Sequence, residues 1–488
     1  MNSGEYPFRD LKPASVWKHF AELCRIPRQS KHEEAVRDFL KQWASSQGLE
    51  NRVEAGGNLI IKKPASAGYE NAPGVILQAH LDMVCQKNEG VEHDFSKDPI
   101  KPVVRDNLVL AEDTTLGADD GIGVALILAA FEDKTLVHGP LEALLTVDEE
   151  EGMGGANKLE KNVLSGKILL NLDSETWGDF CLGCAGGADV IVQRTGRAEP
   201  FPTAWKALKI DISGLRGGHS GINIHEGRGN AIKLLTRILC SLERQFPLCL
   251  SSFTGGTARN AIPREASAVI GIQEQNMISV SGLLQKWQDR IMTELAGVDE
   301  ACQIKWSTTS ADKIMSSFDQ RIWLLSLNAA PHGVWRMTAG TCSPETSNNL
   351  GTINLQSDTG TCTFMVRSTI ESACNALTGE IISLFMLSGI QPRRENAYPG
   401  WAPDMNSPLL ALCRQIYKRE FGSEPATHII HAGLECGILK SKYPELDMIS
   451  FGPTIHSPHA PGESVEIDTV EKSWQLLQAL LKAIAIKA

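Results

Sequence analysis

Five places in this chain put carboxylates or imidazoles where an apolar run stops: His80-Leu81-Asp82, Asp119-Asp120, Asp148-Glu149-Glu150, Asp173 and, far downstream, His459. These are the side chains that hold divalent cations. Acids at the ends of buried strands are costly unless something positive neutralises them, and a pair of metal ions is the simplest neutraliser. Metal-assisted hydrolysis is the chemistry such a cluster would support. Residues two apart in a strand point the same way, so His80 and Asp82 can face one pocket, with Asp82 fixing the imidazole. An ordinary strand-end turn would also account for them. Asp119 and Asp120 precede a helix, where Asp is a favoured cap; one could cap while the other bridges two ions. The acids at 148–150 read either as a solvated loop or as a metal ligand beside a general base. The apolar strand before them and Gly152-Met153-Gly154-Gly155 after them favour the second reading. Asp173 repeats the pattern, and repeated strand-end acids are poorly explained as unrelated caps.

The elements that must position these residues alternate strand and helix. Helical spacing of Val16, Trp17, Phe20, Leu23 and Cys24 predicts a first helix, ended at Pro27. Ser30-Lys31-His32-Glu33 reads as a capping box that opens a second helix over 34–47. Strands are expected over 59–62, 74–80, 141–147 and 167–172, and an apolar helix over 121–131. This order implies an α/β layer with a mostly parallel central sheet, whose ligands bind beyond the carboxyl ends of the strands. From residue 190 to 389 no acid- or His-rich strand end occurs, which reads as an inserted α+β domain. Tyr398-Pro399-Gly400-Trp401 marks a return. The expected division is 1–188 and 391–488 for the catalytic domain and 189–390 for the insert. Within the insert, 254–262 is echoed at 339–341 and 348–350, by internal duplication or by chance.

Composition narrows the classes further. A chain of 488 residues is too long for one ordinary core. A net charge of -11 with no basic stripe argues against nucleic acid or an anionic membrane as partner. No apolar run reaches about 18 residues, so no membrane span is expected. The run 1–17 lacks a basic stretch followed by an apolar one, so no secretory signal is expected. Twelve scattered cysteines fit a reducing cytoplasm. Cys181 and Cys184 form a C-x-x-C match, either a redox pair or two ordinary thiols in a Gly-rich stretch.

Taken in order, His80-Leu81-Asp82, Gly117-Ala118-Asp119-Asp120-Gly121, Asp148-Glu149-Glu150-Glu151-Gly152, Asp173 and His459-Ala460-Pro461-Gly462-Glu463 resemble the co-catalytic di-zinc metallopeptidases related to aminoacylase and carboxypeptidase G. Gly217-Gly218-His219-Ser220-Gly221, Arg259-Asn260-Ala261-Ile262-Pro263 and the loop 431–437 narrow the resemblance to the bacterial non-specific dipeptidases of that family. It covers essentially the whole chain. The resemblance implies a catalytic domain interrupted by a lid or dimerisation domain. It places His80 and Asp173 on one metal, Glu150 and His459 on the other, and Asp119 between them. Glu149 becomes the general base, and Asp82 the residue that orients His80. His456-Ser457-Pro458 also matches the last ligand motif. The family's glutamate four residues on is met by Glu463 behind His459, while His456 has Ala460, so His459 is preferred.

The resemblance further implies that His219 donates to the oxyanion, and that Asn260, Arg367 and Gly433 hold the product-side carboxylate. The planar fork of arginine suits that task. In place of the commoner Ser-Pro-Asp, this chain has Ala460-Pro461-Gly462, which removes no group the chemistry needs. The implied cofactors are two divalent ions, zinc first, with cobalt or manganese as substitutes. The implied substrates are dipeptides, including Xaa-His, cleaved in the cytoplasm by a homodimer. The alternative within the same fold is a deacylase or desuccinylase of N-acyl amino acids.

Overall fold

The structure, a computed structural model, describes Phe8 and residues 10–486. Part of the N-terminal run read above for a secretory signal lies outside these residues. The chain divides into two compact units. The first holds the chain as far as Gly183, then Pro403–Ile429 and the residues from Leu434 on; the second holds Cys184–Ala402 and Ile430–Gly433.

The first unit is built on an eight-stranded sheet. Its order is Glu50–Val53, Leu59–Lys63, Leu141–Thr146, Val75–His80, Ile168–Asn171, Asp447–Ser450, Asp179–Cys184 and Ala426–Ile430. The four central strands are parallel. The pairings of 50–53 with 59–63, of 59–63 with 141–146, and of 447–450 with 179–184 are antiparallel. Val75–His80 and Leu141–Thr146 are buried along their whole length, as parallel strands covered on both faces must be. Helix Ala118–Glu132 is apolar on every side and buried throughout 118–131, which places it inside the core rather than over it.

The expected capping box at Ser30 does not form. Helix Glu34–Ser46 has Glu33 at its N-cap with no side-chain capping bond. Ser30 Oγ donates instead to Asp82 Oδ2 at 2.8 Å, and Glu33 Oε1 accepts the N–H of Asp148 at 2.9 Å. Both residues are claimed by the strand ends. A separate sheet of Ile455–His456, Ser464–Glu466, Leu108–Leu110 and Val103–Arg105 puts His459 in the loop of a hairpin.

The second unit has its own core and a nine-stranded antiparallel sheet. One half orders its strands Gln303–Thr309, Trp205–Ser213, Ala266–Gln273 and Leu248–Gly255, with helices Ala231–Glu243 and Met277–Glu294 between them in sequence. The other half orders Pro344–Leu355, Thr359–Ser368, Gly186–Thr195 and Arg393–Tyr398, with helices Ser317–Ala329 and Glu371–Leu387. Each half is a β-α-β-β-α-β motif, and the halves meet where 253–255 pairs antiparallel with 353–355. The motif echo noted in the sequence does not sit at equivalent points of the halves: 254–262 follows a central strand, whereas 339–341 precedes one. Arg393–Tyr398 pairs with Gly186–Thr195 and so stays with this unit. The chain returns to the first unit at Pro403, later than the sequence reading placed it. Cys181 and Cys184 are buried and form no disulfide. Among the described residues, no helix is long and apolar enough to cross a membrane.

Candidate metal centre

His80 ends its strand, Glu149 and Glu150 follow Leu141–Thr146, and Asp173 follows Ile168–Asn171. All lie at carboxyl ends of neighbouring parallel strands. Asp119 stands at the start of the buried helix, and His459 comes in on the hairpin. The structure gathers these residues in three overlapping groups: His80, Asp119 and Asp173; His80, Glu149 and Glu150; Asp119, Glu150 and His459. Within each group the donor atoms lie inside 4.8 Å of one another. His80 Nε2 is 3.1 Å from Asp119 Oδ1 and 3.4 Å from Asp173 Oδ1. His459 Nε2 is 3.0 Å from Asp119 Oδ2 and 3.1 Å from Glu150 Oε2. Asp119 therefore offers one oxygen to each imidazole.

Neighbouring residues are sorted away from this cluster. Asp120 accepts the N–H of Gly123 at 3.1 Å and that of His80 at 3.2 Å, so it is the member of the pair that caps the helix. His456 meets Glu466 at 2.8 Å, half exposed, and joins none of the groups.

Asp82 is fully buried and ties several parts together. Its carboxylate accepts from Ser30 Oγ and from the N–H groups of Glu149 (3.1 Å) and Glu150 (3.2 Å). His80 Nδ1 lies 3.2 Å from the Asp82 carbonyl oxygen and 3.5 Å from its carboxylate, so the backbone of Asp82 shares in orienting the ring. Glu463 does comparable work for Asp119. Its carboxylate accepts the N–H groups of Leu116, Gly117, Ala118 and Asp119 at 2.7 to 3.4 Å. One glutamate thus pins the loop that presents Asp119 to the hairpin that presents His459.

The electrostatics call for positive charge. Hydrogen bonds to Asp119 and Glu150 push His459 up to about 11. Burial works against His80, yet Asp173, Asp119 and Asp82 carry it well above the usual imidazole range. Glu150 Oε1 is buried without a hydrogen-bond partner. Two imidazoles and three carboxylates sharing Asp119 fit a pair of divalent cations, with nitrogen and oxygen donors suited to zinc, cobalt or manganese. Glu149 stands beside the ligands. Burial pushes its carboxyl well above the ordinary range, with His80 opposing and Asp173, Glu435 and Glu150 adding to the shift.

The second unit gathers the other sequence candidates. His219 Nδ1 accepts the N–H groups of Gly221 (3.2 Å) and Ile222 (3.1 Å). Its proton therefore sits on Nε2. Burial, then the charge of Arg367, holds His219 down at about 4, so it is a neutral Nε2–H donor at pH 7. Arg367 is buried, donates to Tyr398 Oη at 2.9 Å and comes within 3.4 Å of His219 Nε2. Two donors this close want one oxygen acceptor between them. The carbonyl of Asn260 holds Ser220 N–H at 2.8 Å, next to His219, while the Asn260 side chain is exposed. Gly433 follows His431, whose Nε2 lies 2.7 Å from Ser347 Oγ. Sequence reasoning passed over Tyr398, Ser347 and Glu435. Tyr398 was visible only as part of a domain boundary, and Glu435 only as one more residue of a Gly-rich loop.

Residues 76–483 match the model of Peptidase family M20/M25/M40. The chain is 44% identical over 481 residues to the cytosol non-specific dipeptidase of Escherichia coli (strain K12), covering 98% of this chain and 99% of that one. It is 43% identical to aminoacylhistidine dipeptidase from Vibrio alginolyticus, whose crystal structure superposes with a TM-score of 0.92 over 99% of this chain and 98% of that one. The aminopeptidase PepT from Bacillus cereus ATCC 10987 shares the fold at a TM-score of 0.57 and 17% identity, covering 97% and 99% of the two chains.

Proposed function

This chain belongs to Peptidase family M20/M25/M40, and from that premise we propose that it is a metal-dependent dipeptidase, hydrolysing short peptides that include Xaa-His. His80 and Asp173 would hold one ion, Glu150 and His459 the other, with Asp119 shared; zinc is the ion we assign. Bound divalent ions supply Lewis acidity that brings the pKa of a water from about 16 towards about 7. The chain's own residues do the rest. Glu149, with its raised proton affinity, takes the proton of the attacking water and returns it to the leaving amine. Asp82 sets the His80 ring and, through two backbone N–H groups, the position of Glu149. His219 donates from Nε2 to the oxygen that gains charge at the scissile carbonyl. Arg367, with Asn260 and the Gly433 backbone, receives the terminal carboxylate.

The observation that carries the reading is Glu149. It lies within the ligand cluster, and its backbone is held by Asp82. A protein that only stored metal would have no use for a base placed there. We assign the enzyme to the cytoplasm as a homodimer, which sedimentation of the purified protein would check. The decisive assay uses metal-reconstituted enzyme on Xaa-His and other dipeptides against N-acetyl amino acids. Dipeptides should be turned over far faster, and Glu149→Ala should lower kcat roughly a thousandfold with metal content unchanged. A preference for the acyl compounds would move the protein to the deacylases. Undiminished activity in the Glu149→Ala enzyme would remove the assigned mechanism.

A further inference from the structure

A buried polar row crosses the first unit's sheet just before its strands deliver the ligands. Gln78 and Asn171 are paired across one ladder, and Asn171 and Ser450 across the next. Ser174 Oγ lies 2.7 Å from Ser450 Oγ, and Ser450 Oγ donates to Asn171 Oδ1. Asn171 Nδ2 donates to Gln78 Oε1 at 2.5 Å. Gln78 Nε2 and Thr146 Oγ1 both donate to Glu435 Oε2, at 2.7 and 2.6 Å. All six residues are buried.

The row has a direction. The Asp173 N–H donates to Asn171 Oδ1 at 3.4 Å, which fixes that amide. The Glu435 carboxyl needs donors, which fixes the Gln78 amide. Ser450 gives its single proton to Asn171, so Ser174 donates to Ser450. Every donor points towards Glu435, and dipoles aligned this way strengthen one another. The row also touches each strand close to its functional residues: Gln78 two before His80, Asn171 two before Asp173, Thr146 three before Glu149.

We propose that Glu435 is a positioning residue for the reaction: by collecting the donors of this row it sets where the strands carrying His80, Glu149, Glu150 and Asp173 end. The proposal rests on the reading of those residues as ligands and base. Glu435 opens helix Glu435–Lys442, so the acceptor is supplied from outside the sheet. Its other oxygen, Oε1, is buried without a partner, so nothing else claims the side chain. Glutamine keeps an oxygen acceptor at the end of the row, and leucine does not.

The test compares Glu435→Gln, Glu435→Leu and Gln78→Leu in the full-length enzyme. Metal affinity is read by chelator competition, and kcat and KM are read at saturating zinc. Glu435→Leu should weaken metal binding 10- to 100-fold and lower kcat about tenfold with little change in KM. Glu435→Gln should stay within about threefold of wild type on both readouts. Gln78→Leu, which breaks the row one step earlier, should reproduce the leucine effect, and the double variant Gln78→Leu/Glu435→Leu should be clearly less than additive. Two results would overturn the proposal. One is wild-type kcat and metal affinity in Glu435→Leu, with only a lower melting temperature. The other is equal damage from Gln and Leu, which would make the charge and not the row the essential feature. A wild-type enzyme that fails on dipeptides would instead refute the assigned function, because the metal-affinity comparison does not depend on the substrate.

Discussion

At the scale of single residues, protonation decides what each group can do. His219 and His431 are imidazoles kept neutral, while His80 and His459 are imidazoles that surrounding acids drive towards charge. Burial accounts first for His431, held down at about 3, and the charge of Arg367 adds to it. His219 sits at about 4 for the same two reasons. Both lie below the ordinary value of 6.5, so the unfolded chain takes up protons that the folded one refuses. The stability these histidines leave intact above pH 6.5 is lost as the pH falls from there towards 4 for His219 and towards 3 for His431. Urea midpoints of the metal-loaded protein should drop between pH 7 and pH 5, and His431→Gln should flatten part of that slope. An unchanged slope in the variant would remove His431 from the account. The same scale explains how far the candidate residues were legible. A histidine or an acid where an apolar run stops can be seen in sequence, although a turn or a helix cap leaves the same mark. Tyr398 could not be seen as an Arg367 partner, because nothing in its neighbours announces which strand it will face.

At the scale of elements, the site depends on joining segments that are far apart in the chain. Glu463 shows this most directly. It is buried, and it accepts four consecutive N–H groups from the loop entering the helix Ala118–Glu132. Those groups belong to the loop ahead of the Asp120 cap, and as buried backbone donors they need an acceptor that the helix does not supply. Glu463→Ala should lower unfolding free energy by about 2–4 kcal/mol, since it strands buried donors as well as removing charged hydrogen bonds. Because the same glutamate holds the His459 hairpin, metal affinity should fall too. Denaturant titration with a parallel chelator competition checks both, and a loss of stability with unchanged metal affinity would separate the two roles. The Ser30 reading failed at this scale. A serine followed three residues later by glutamate is a sound local capping signal. It lost to long-range partners, since Asp82 and the N–H of Asp148 offered both side chains hydrogen bonds inside the core.

At the scale of the whole molecule, two units divide the chemistry: one concentrates acids and imidazoles, and the other carries the neutral donor His219 and the cation Arg367. Removing the ions leaves the clustered carboxylates of the first unit to the imidazoles of His80 and His459 in place of two divalent cations. A ligand present at 100 times its Kd contributes about 2.7 kcal/mol to stability. Chelation should therefore lower the melting temperature by several degrees in scanning calorimetry, and added zinc should restore it. A melting curve indifferent to chelator would argue against resident cations. The sequence by itself determined the α/β class and marked the acids and imidazoles that could serve as ligands, because these follow from hydrophobic period and from charged residues where apolar runs stop. It could not determine that Asp120 caps while Asp119 faces two imidazoles, that Arg393–Tyr398 stays with the inserted unit, or that Glu435 ends a row of donors beneath the ligands. Each of those is a choice between partners that only packing supplies. A carboxylate satisfied by its own helix and one turned towards a cluster look the same in sequence, and only the tertiary structure gives them different neighbours.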